Sequence, residues 1–153
     1  MSYRRILVAV DDSPAGLDAA RAAVELAAGW GGEVRAVTVL LDHMLANVIG
    51  GQATDTAQRM AAGGRSVLSW VAELAAARGV PTTVVARDGE PSRRILEEAE
   101  AWGAELIVMG RSDRRGPSSP YLGSETAHVL EFSERPVLVI PRADEHARRA
   151  QLP

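Results

Sequence analysis

The chain has no lysine and no cysteine; all 17 of its basic residues are arginine. Without lysine there is no phosphate-binding loop of the G-x-x-x-x-G-K-[ST] kind, no Schiff-base chemistry and no lysine general base. Without cysteine there is no disulfide, thiolate nucleophile, iron–sulfur cluster or cysteine-ligated zinc site. Any ligand phosphate must then be held by arginine, backbone N–H groups, hydroxyls or a metal. Aromatic residues make up only 4% of the chain, so a core has to be built from Ala, Val, Leu and Ile. No apolar run approaches the ~18 residues of a membrane span. The short run Ile6–Val10 after Arg4-Arg5 ends in Asp11-Asp12, which argues against a cleavable signal. A net charge of −3 argues against a nucleic-acid partner, which calls for a concentrated basic surface. The expectation is a cytoplasmic domain with neither membrane nor nucleic acid as a partner.

What is present has the composition of a globular protein: 153 residues, 46% hydrophobic and 24% charged. A chain of this length forms one domain that buries roughly two-thirds of its unfolded surface. Its apolar runs are Arg5–Val10, Glu33–Leu41, Thr82–Arg87, Glu105–Gly110 and Pro136–Ile140. Most lack strict alternation, the pattern of parallel strands covered on both faces. Helical spacing separates them. Leu17, Ala20, Val24, Ala27 and Ala28 follow a Ser13 cap and Pro14, and Gly31-Gly32 supply the stop. Val67, Val71, Leu74 and Ala75 form a second helical face that ends at Arg78-Gly79. Pro91 opens a third helix, with Ile95, Leu96 and Ala99 inward. A fourth holds Leu122, Thr126, Val129 and Leu130. Between the second strand and the second helix, His43–Gly64 reads as a loop, because Gly50-Gly51 and Gly63-Gly64 interrupt it. The alternating order predicts an α/β fold, an open parallel sheet with helices on both faces. If the first and fourth strands are neighbours, their carboxyl ends flank a ligand crevice. The expected organisation is a single domain over residues 1–141 and a polar tail over 142–153.

Two segments carry candidate chemistry. Asp11-Asp12-Ser13 follows the first strand, where a carboxylate can accept a hydrogen bond from a ligand amine or hydroxyl or help hold Mg²⁺. It can equally cap the helix that follows. The second segment runs from Gly110-Arg111-Ser112-Asp113-Arg114-Arg115-Gly116 to Gly123-Ser124 and leads into the fourth helix. A glycine-punctuated strand-to-helix connection lets backbone N–H groups approach phosphate oxygens, and the helix N-terminus adds positive charge. Ser112, Ser124 and Thr126 can add hydroxyl donors.

These pieces have a precedent. The chain resembles the universal stress protein family over nearly its whole length. The matching pieces are Ile6-Leu7-Val8-Ala9-Val10-Asp11-Asp12-Ser13, Gly89-Glu90-Pro91 with Ile95 and Ala99, and Glu105–Gly110. Leu122-Gly123-Ser124 with Val129-Leu130, and Arg135-Pro136-Val137-Leu138-Val139-Ile140-Pro141, complete the order. The resemblance implies a five-stranded Rossmann-like sheet of order 3-2-1-4-5. It also implies a homodimer through the last strand, here Val137, Leu138, Val139 and Ile140. It further implies a small stress-response or regulatory protein that binds an adenine nucleotide, ATP foremost and with Mg²⁺ where a bridge is needed, and acts on a protein partner yet to be named. Ala9, Val10 and Asp11 fall on the family's adenosine-side segment and Val39 on its second-strand contact. Met109, Gly110, Ser112, Gly123, Ser124 and Thr126 fall on its phosphate side, where Arg111 and Arg114 can pair phosphate oxygens.

The family's ATP-binding subclass carries G-x2-G-x9-G-[ST]. Here Asp113 stands at the second glycine, and Glu125 occupies a place that is usually small or apolar. A carboxylate beside a triphosphate is repulsive unless Mg²⁺ or the neighbouring arginines offset it. The alternatives are therefore a nucleotide-free dimeric interaction module and a weak ATPase. For an ATPase no well-defined base is visible, and no catalytic residue is assigned. His43, His128 and His146 lack ligand-like spacing. Trp30, Trp70 and Trp102 read as packing residues near helix ends. Glu97-Glu98 and Glu100 read as a solvated helix face.

Overall fold

The computed structural model describes residues 1–40, 51–111 and 122–142, with side chains described from residue 62 in the second of these segments. The elements are β1 (Arg5–Ala9), α1 (Pro14–Trp30), β2 (Glu33–Leu40), α2 (Gly51–Ala77), β3 (Thr82–Asp88), α3 (Pro91–Trp102), β4 (Leu106–Gly110), α4 (Ser124–Phe132) and β5 (Val137–Ile140). The described strand ends agree with the sequence reading to within a residue. All pairings are parallel, in the order β3-β2-β1-β4-β5. β1 therefore lies between β2 and β4, and the order reverses beside it. The register sets Ala9 against Val37 and Val8 against Val108.

Two apolar layers sandwich the sheet. Ile6, Val8, Val34, Ala36, Leu106 and Val108 face α1 and α2. Leu7, Val37, Ile107 and Met109 face α3 and α4. Ile6, Leu7 and Val8 are fully buried, each stabilising the fold by roughly 1.5–3 kcal/mol. Scarce aromatics are replaced by close approach: Ala19, Ala20, Ala23 and Ala27 on α1 have no exposed surface. Ser13 caps α1 through its hydroxyl, which accepts from the Gly16 N–H at 3.1 Å, and Pro14 fills the first turn. Gly31 ends the helix in a left-handed conformation, φ 64°.

Four expectations need correction. α2 begins at Gly51, so residues 51–64 are helical and not a loop; His43–Gly50 lie outside the described residues. Gly64 is a packing residue there. A Cβ on Gly64 would stand 3.1 Å from Leu40 Cδ2 and 3.3 Å from Thr38 Cγ2, so its absence lets α2 settle on β2. Glu98 is buried rather than solvated. It accepts from Arg35 Nη1 and from Arg87 Nε, each at 2.9 Å, while Arg35 also lies over the Trp102 ring. Glu97 and Glu100 are on the surface as read, paired with Arg93 and Arg94 and with Arg135. Leu122 precedes α4, and Leu130 is 41% exposed rather than inward. Trp70 lies well inside α2 with Arg21 over its ring, whereas Trp30 and Trp102 do end their helices.

Candidate functional site

The reversal of strand order beside β1 leaves a crevice at the carboxyl edge of the sheet. Past the end of β1 the chain stays tied to β2, with Val10 N–H donating to Val37 O at 2.9 Å. Past the end of β4 it stays tied to β5, with Arg111 N–H donating to Ile140 O at 2.8 Å. Strand alternation then sorts the side chains at this edge. Ala9, Val39 and Met109 share the α3/α4 face, on the adjacent strands β1, β2 and β4. Ala9 and Val39 are only partly buried, so together they form an apolar floor open at its rim. Val10 belongs to the opposite layer, packed with α1 and α2.

Asp11 and Ser13 divide the roles that the sequence leaves open. Ser13 is the helix cap, and Asp11 orients it: Asp11 Oδ1 accepts from the Ser13 N–H at 3.0 Å and from the Ser13 hydroxyl. Both bonds fall on Oδ1, which leaves Oδ2 of this exposed carboxylate for solvent or a ligand. The turn closes tightly because position 16 is glycine; a Cβ there would stand 2.5 Å from Asp11 Oδ1 and 2.8 Å from Asp11 O. Gly110 has an equally local reason. Its missing Cβ would meet Ala15 O at 2.4 Å, so it admits the first turn of α1 beside β4.

The start of α4 borders the same edge. Buried Thr126 reaches Gly110 O with its hydroxyl at 3.4 Å. The N-cap is Gly123, at φ 89° and ψ 141°, with no side chain to cap the helix, and Ser124 is exposed. The first N–H groups of a helix have no intrahelical partners. At the end of β4, Arg111 Nε is buried without a hydrogen-bond partner, the one such side-chain atom among the described residues. Alternation beyond β4 gives Arg111 the α3/α4 face, that of Met109.

Ala9, Val10, Asp11, Val39, Met109, Gly110, Arg111, Gly123, Ser124 and Thr126 therefore gather at one edge. Ser112 and Arg114, with Asp113 and Arg115, lie outside the described residues. Sequence reasoning missed what Glu125 does: its Oε2 accepts the Ser92 N–H at 2.8 Å, joining α4 to the first turn of α3. The available signal was an acidic residue in the first turn of a helix that follows glycine. Among the described residues no cluster of His, Asp and Glu could hold a metal ion. Away from the edge, a hydrogen bond from Arg94 holds exposed Glu97 below its ordinary value, against desolvation. No helix among the described residues is long and apolar enough to cross a membrane.

Known proteins share this arrangement. Universal stress protein MJ0531 of Methanocaldococcus jannaschii is 29% identical over 141 residues, covering 92% of this chain and 83% of its own. A universal stress protein solved in complex with cAMP has a TM-score of 0.69 at 22% identity, covering 94% of this chain and all of its own, a likeness of fold alone. The universal stress protein from Archaeoglobus fulgidus in complex with dAMP has a TM-score of 0.67 at 27% identity, covering 92% of this chain and 99% of its own. The Universal stress protein family as a whole matches residues 2–141. With the sheet order, the strand-end segments and this match in agreement, the chain belongs to the universal stress protein family.

Proposed function

We propose that the protein binds an adenine nucleotide, ATP foremost, at the carboxyl ends of β1 and β4, and works as a cytoplasmic regulatory protein through dimerisation and partner contact. In this reading Ala9, Val39 and Met109 form the floor under the adenosine, and Asp11 accepts from it through Oδ2. Arg111, Gly123, Ser124 and Thr126 meet the phosphates with the free N–H groups of α4, joined by Ser112 and Arg114. The observation that carries the reading is Arg111: a guanidinium stays charged at any working pH, and its buried Nε has no partner. Leaving a buried donor unpaired is costly, so an anion arriving there is favoured. The relative solved with dAMP supports an adenine ligand. Two phosphates or more would draw on Mg²⁺ to offset Asp113.

Dimerisation would use β5, an edge strand whose one sheet neighbour is β4. Even-numbered carbonyls on β5 accept from β4, as Pro136 O and Ile140 O do, so the peptide groups of Val137 and Val139 face outward. Leu138 is 38% exposed and Phe132 on α4 58%, apolar surface that a second copy would cover. Sedimentation equilibrium at micromolar concentration is expected to give a dimer, and a strict monomer would remove this part of the proposal. For the ligand, calorimetry with ATP, ADP and AMP compares wild type with Arg111→Ala. Loss of a charged hydrogen bond should weaken ATP about 10- to 100-fold. A wild-type protein that binds none of the three below millimolar concentration would overturn the nucleotide reading in favour of an interaction module.

A further inference from the structure

Glu125 is the residue in this region whose chemistry the nucleotide reading does not use. It occupies the second position of α4, yet its carboxylate is engaged with another helix. α3 needs such help. Its N-cap, Glu90, accepts no backbone N–H of the helix with its side chain, and Pro91 at the first position has no N–H to satisfy. The first donor of α3 in need of a partner is thus the N–H of Ser92, a residue with no exposed surface. Water cannot serve a donor so buried, and Glu125 does, at 2.8 Å across 33 residues of sequence. The Ser92 hydroxyl meanwhile donates to Glu90 Oε1, so the seam is polar and closed. A carboxylate at the N-terminus of α3 is also favoured by the helix dipole.

Among the described residues, the start of α4 has few other polar ties. Gly123 contributes no side chain, and the Thr126 hydroxyl reaches Gly110 O only at 3.4 Å. The charge-assisted bond from Ser92 is the short, strong tie between the first turn of α4 and the rest of the fold. We propose that Glu125 is a positioning residue for the phosphate half of the nucleotide site: by pinning the first turn of α4 to Ser92 of α3, it holds the free N–H groups and the hydroxyls of Ser124 and Thr126 where phosphate meets them. The inference rests on the nucleotide site described above. It assigns Glu125 a role through α4, with no ligand contact of its own. Adenosine should be indifferent to it, because Ala9, Asp11 and Val39 belong to β1 and β2 and their extensions.

Two near-isosteric variants separate reach from charge. Glu125→Asp keeps the charge but is one methylene short of Ser92, whereas Glu125→Gln keeps the reach and loses the charge. The measured quantity is the ratio of adenosine Kd to ATP Kd for each protein, with urea denaturation confirming that both variants are folded. A misplaced donor set is costly, so Glu125→Asp should lower the ratio about tenfold or more, with adenosine Kd unchanged. Glu125→Gln should keep the ratio close to wild type. A ratio in Glu125→Asp equal to wild type refutes the positioning role, as does a ratio that rises in Glu125→Gln, which would mark Glu125 as a repulsive charge. If wild type binds neither adenosine nor ATP, the nucleotide site itself is wrong and this inference falls with it. If wild type binds both and the variants do not differ, only the Glu125 inference falls.

Discussion

Replacing Gly110 by alanine tests whether that glycine serves the fold or the ligand. The added Cβ would stand 2.4 Å from Ala15 O, 2.6 Å from Ala15 C and 2.9 Å from Ala15 Cβ. Close carbon–oxygen contacts settle at about 3.3–3.6 Å, so the first turn of α1 and the end of β4 must separate by about 1 Å. The opposing effect is small. Gly110 is not among the glycines with positive φ, so alanine fits the backbone there and gains about 0.4–1 kcal/mol through the unfolded state. Overpacking against a backbone carbonyl costs more, about 1–3 kcal/mol and toward the top of that range because backbone cannot rotate away. The net loss is about 1–2 kcal/mol, which lowers Tm by about 2–8 °C in a chain of this size. Urea and thermal denaturation measure both quantities. Ala15→Gly in the same background removes the Cβ contact but keeps the 2.4 Å contact with the carbonyl, so it should restore less than half of the loss. A Gly110→Ala protein as stable as wild type would refute the reasoning. If such a stable variant also lost ATP affinity, the glycine would belong to the phosphate site instead.

The buried ion pairs and the α1 cap give two further tests. Glu98→Ala strands Arg35 and Arg87 over an apolar layer, and breaking such a pair costs about 3–5 kcal/mol when fully buried. Arg87 is 45% exposed, so about 2–4 kcal/mol is expected here, with Glu98→Gln losing clearly less; equal urea midpoints for Glu98→Ala and wild type would contradict it. Ser13→Ala removes the hydroxyl that caps α1 and leaves Asp11 without one of its two donors, a loss of about 1 kcal/mol by denaturation. An unchanged midpoint would mean that Asp11 takes over the cap.

The central strands β1, β2 and β4 were legible because they are covered on both faces, so their apolar runs are nearly continuous, whereas the edge strands β3 and β5 have no fully buried residue. Where runs were short and clean, as in Leu106–Gly110, the ends came out within a residue. The misreadings share a cause. Gly63-Gly64 looked like a break because glycine lowers helix propensity by about 1 kcal/mol, yet the helix runs through both, and at Gly64 the close approach to Thr38 and Leu40 needs a glycine. Glu98 looked solvated because its sequence neighbours are charged. Its two arginine partners come from β2 and β3, 63 and 11 residues away, and sequence spacing carries no sign of them.

The site divides along the same line. In the proposed site the adenosine side includes the consecutive strand-end residues Ala9, Val10 and Asp11, which could be named from one segment, whereas Val39 and Met109 reach it from other strands. Its proposed phosphate side depends instead on the start of α4, where Glu125 accepts from Ser92 on another helix. A glycine at position 110 was equally compatible with phosphate approach and with the nearness of Ala15; only the distances between α1 and β4 separate the two. Arginine was ambiguous in the same way, since a lysine-free chain uses it everywhere. Many of its side chains end in ion pairs on the surface, as Arg5, Arg21, Arg78, Arg93 and Arg94 do. Arg111 differs because its Nε is buried and unpaired, which a solvated surface arginine never has to tolerate. That difference, more than the glycine pattern around it, is what points the proposed anion site to the carboxyl end of β4.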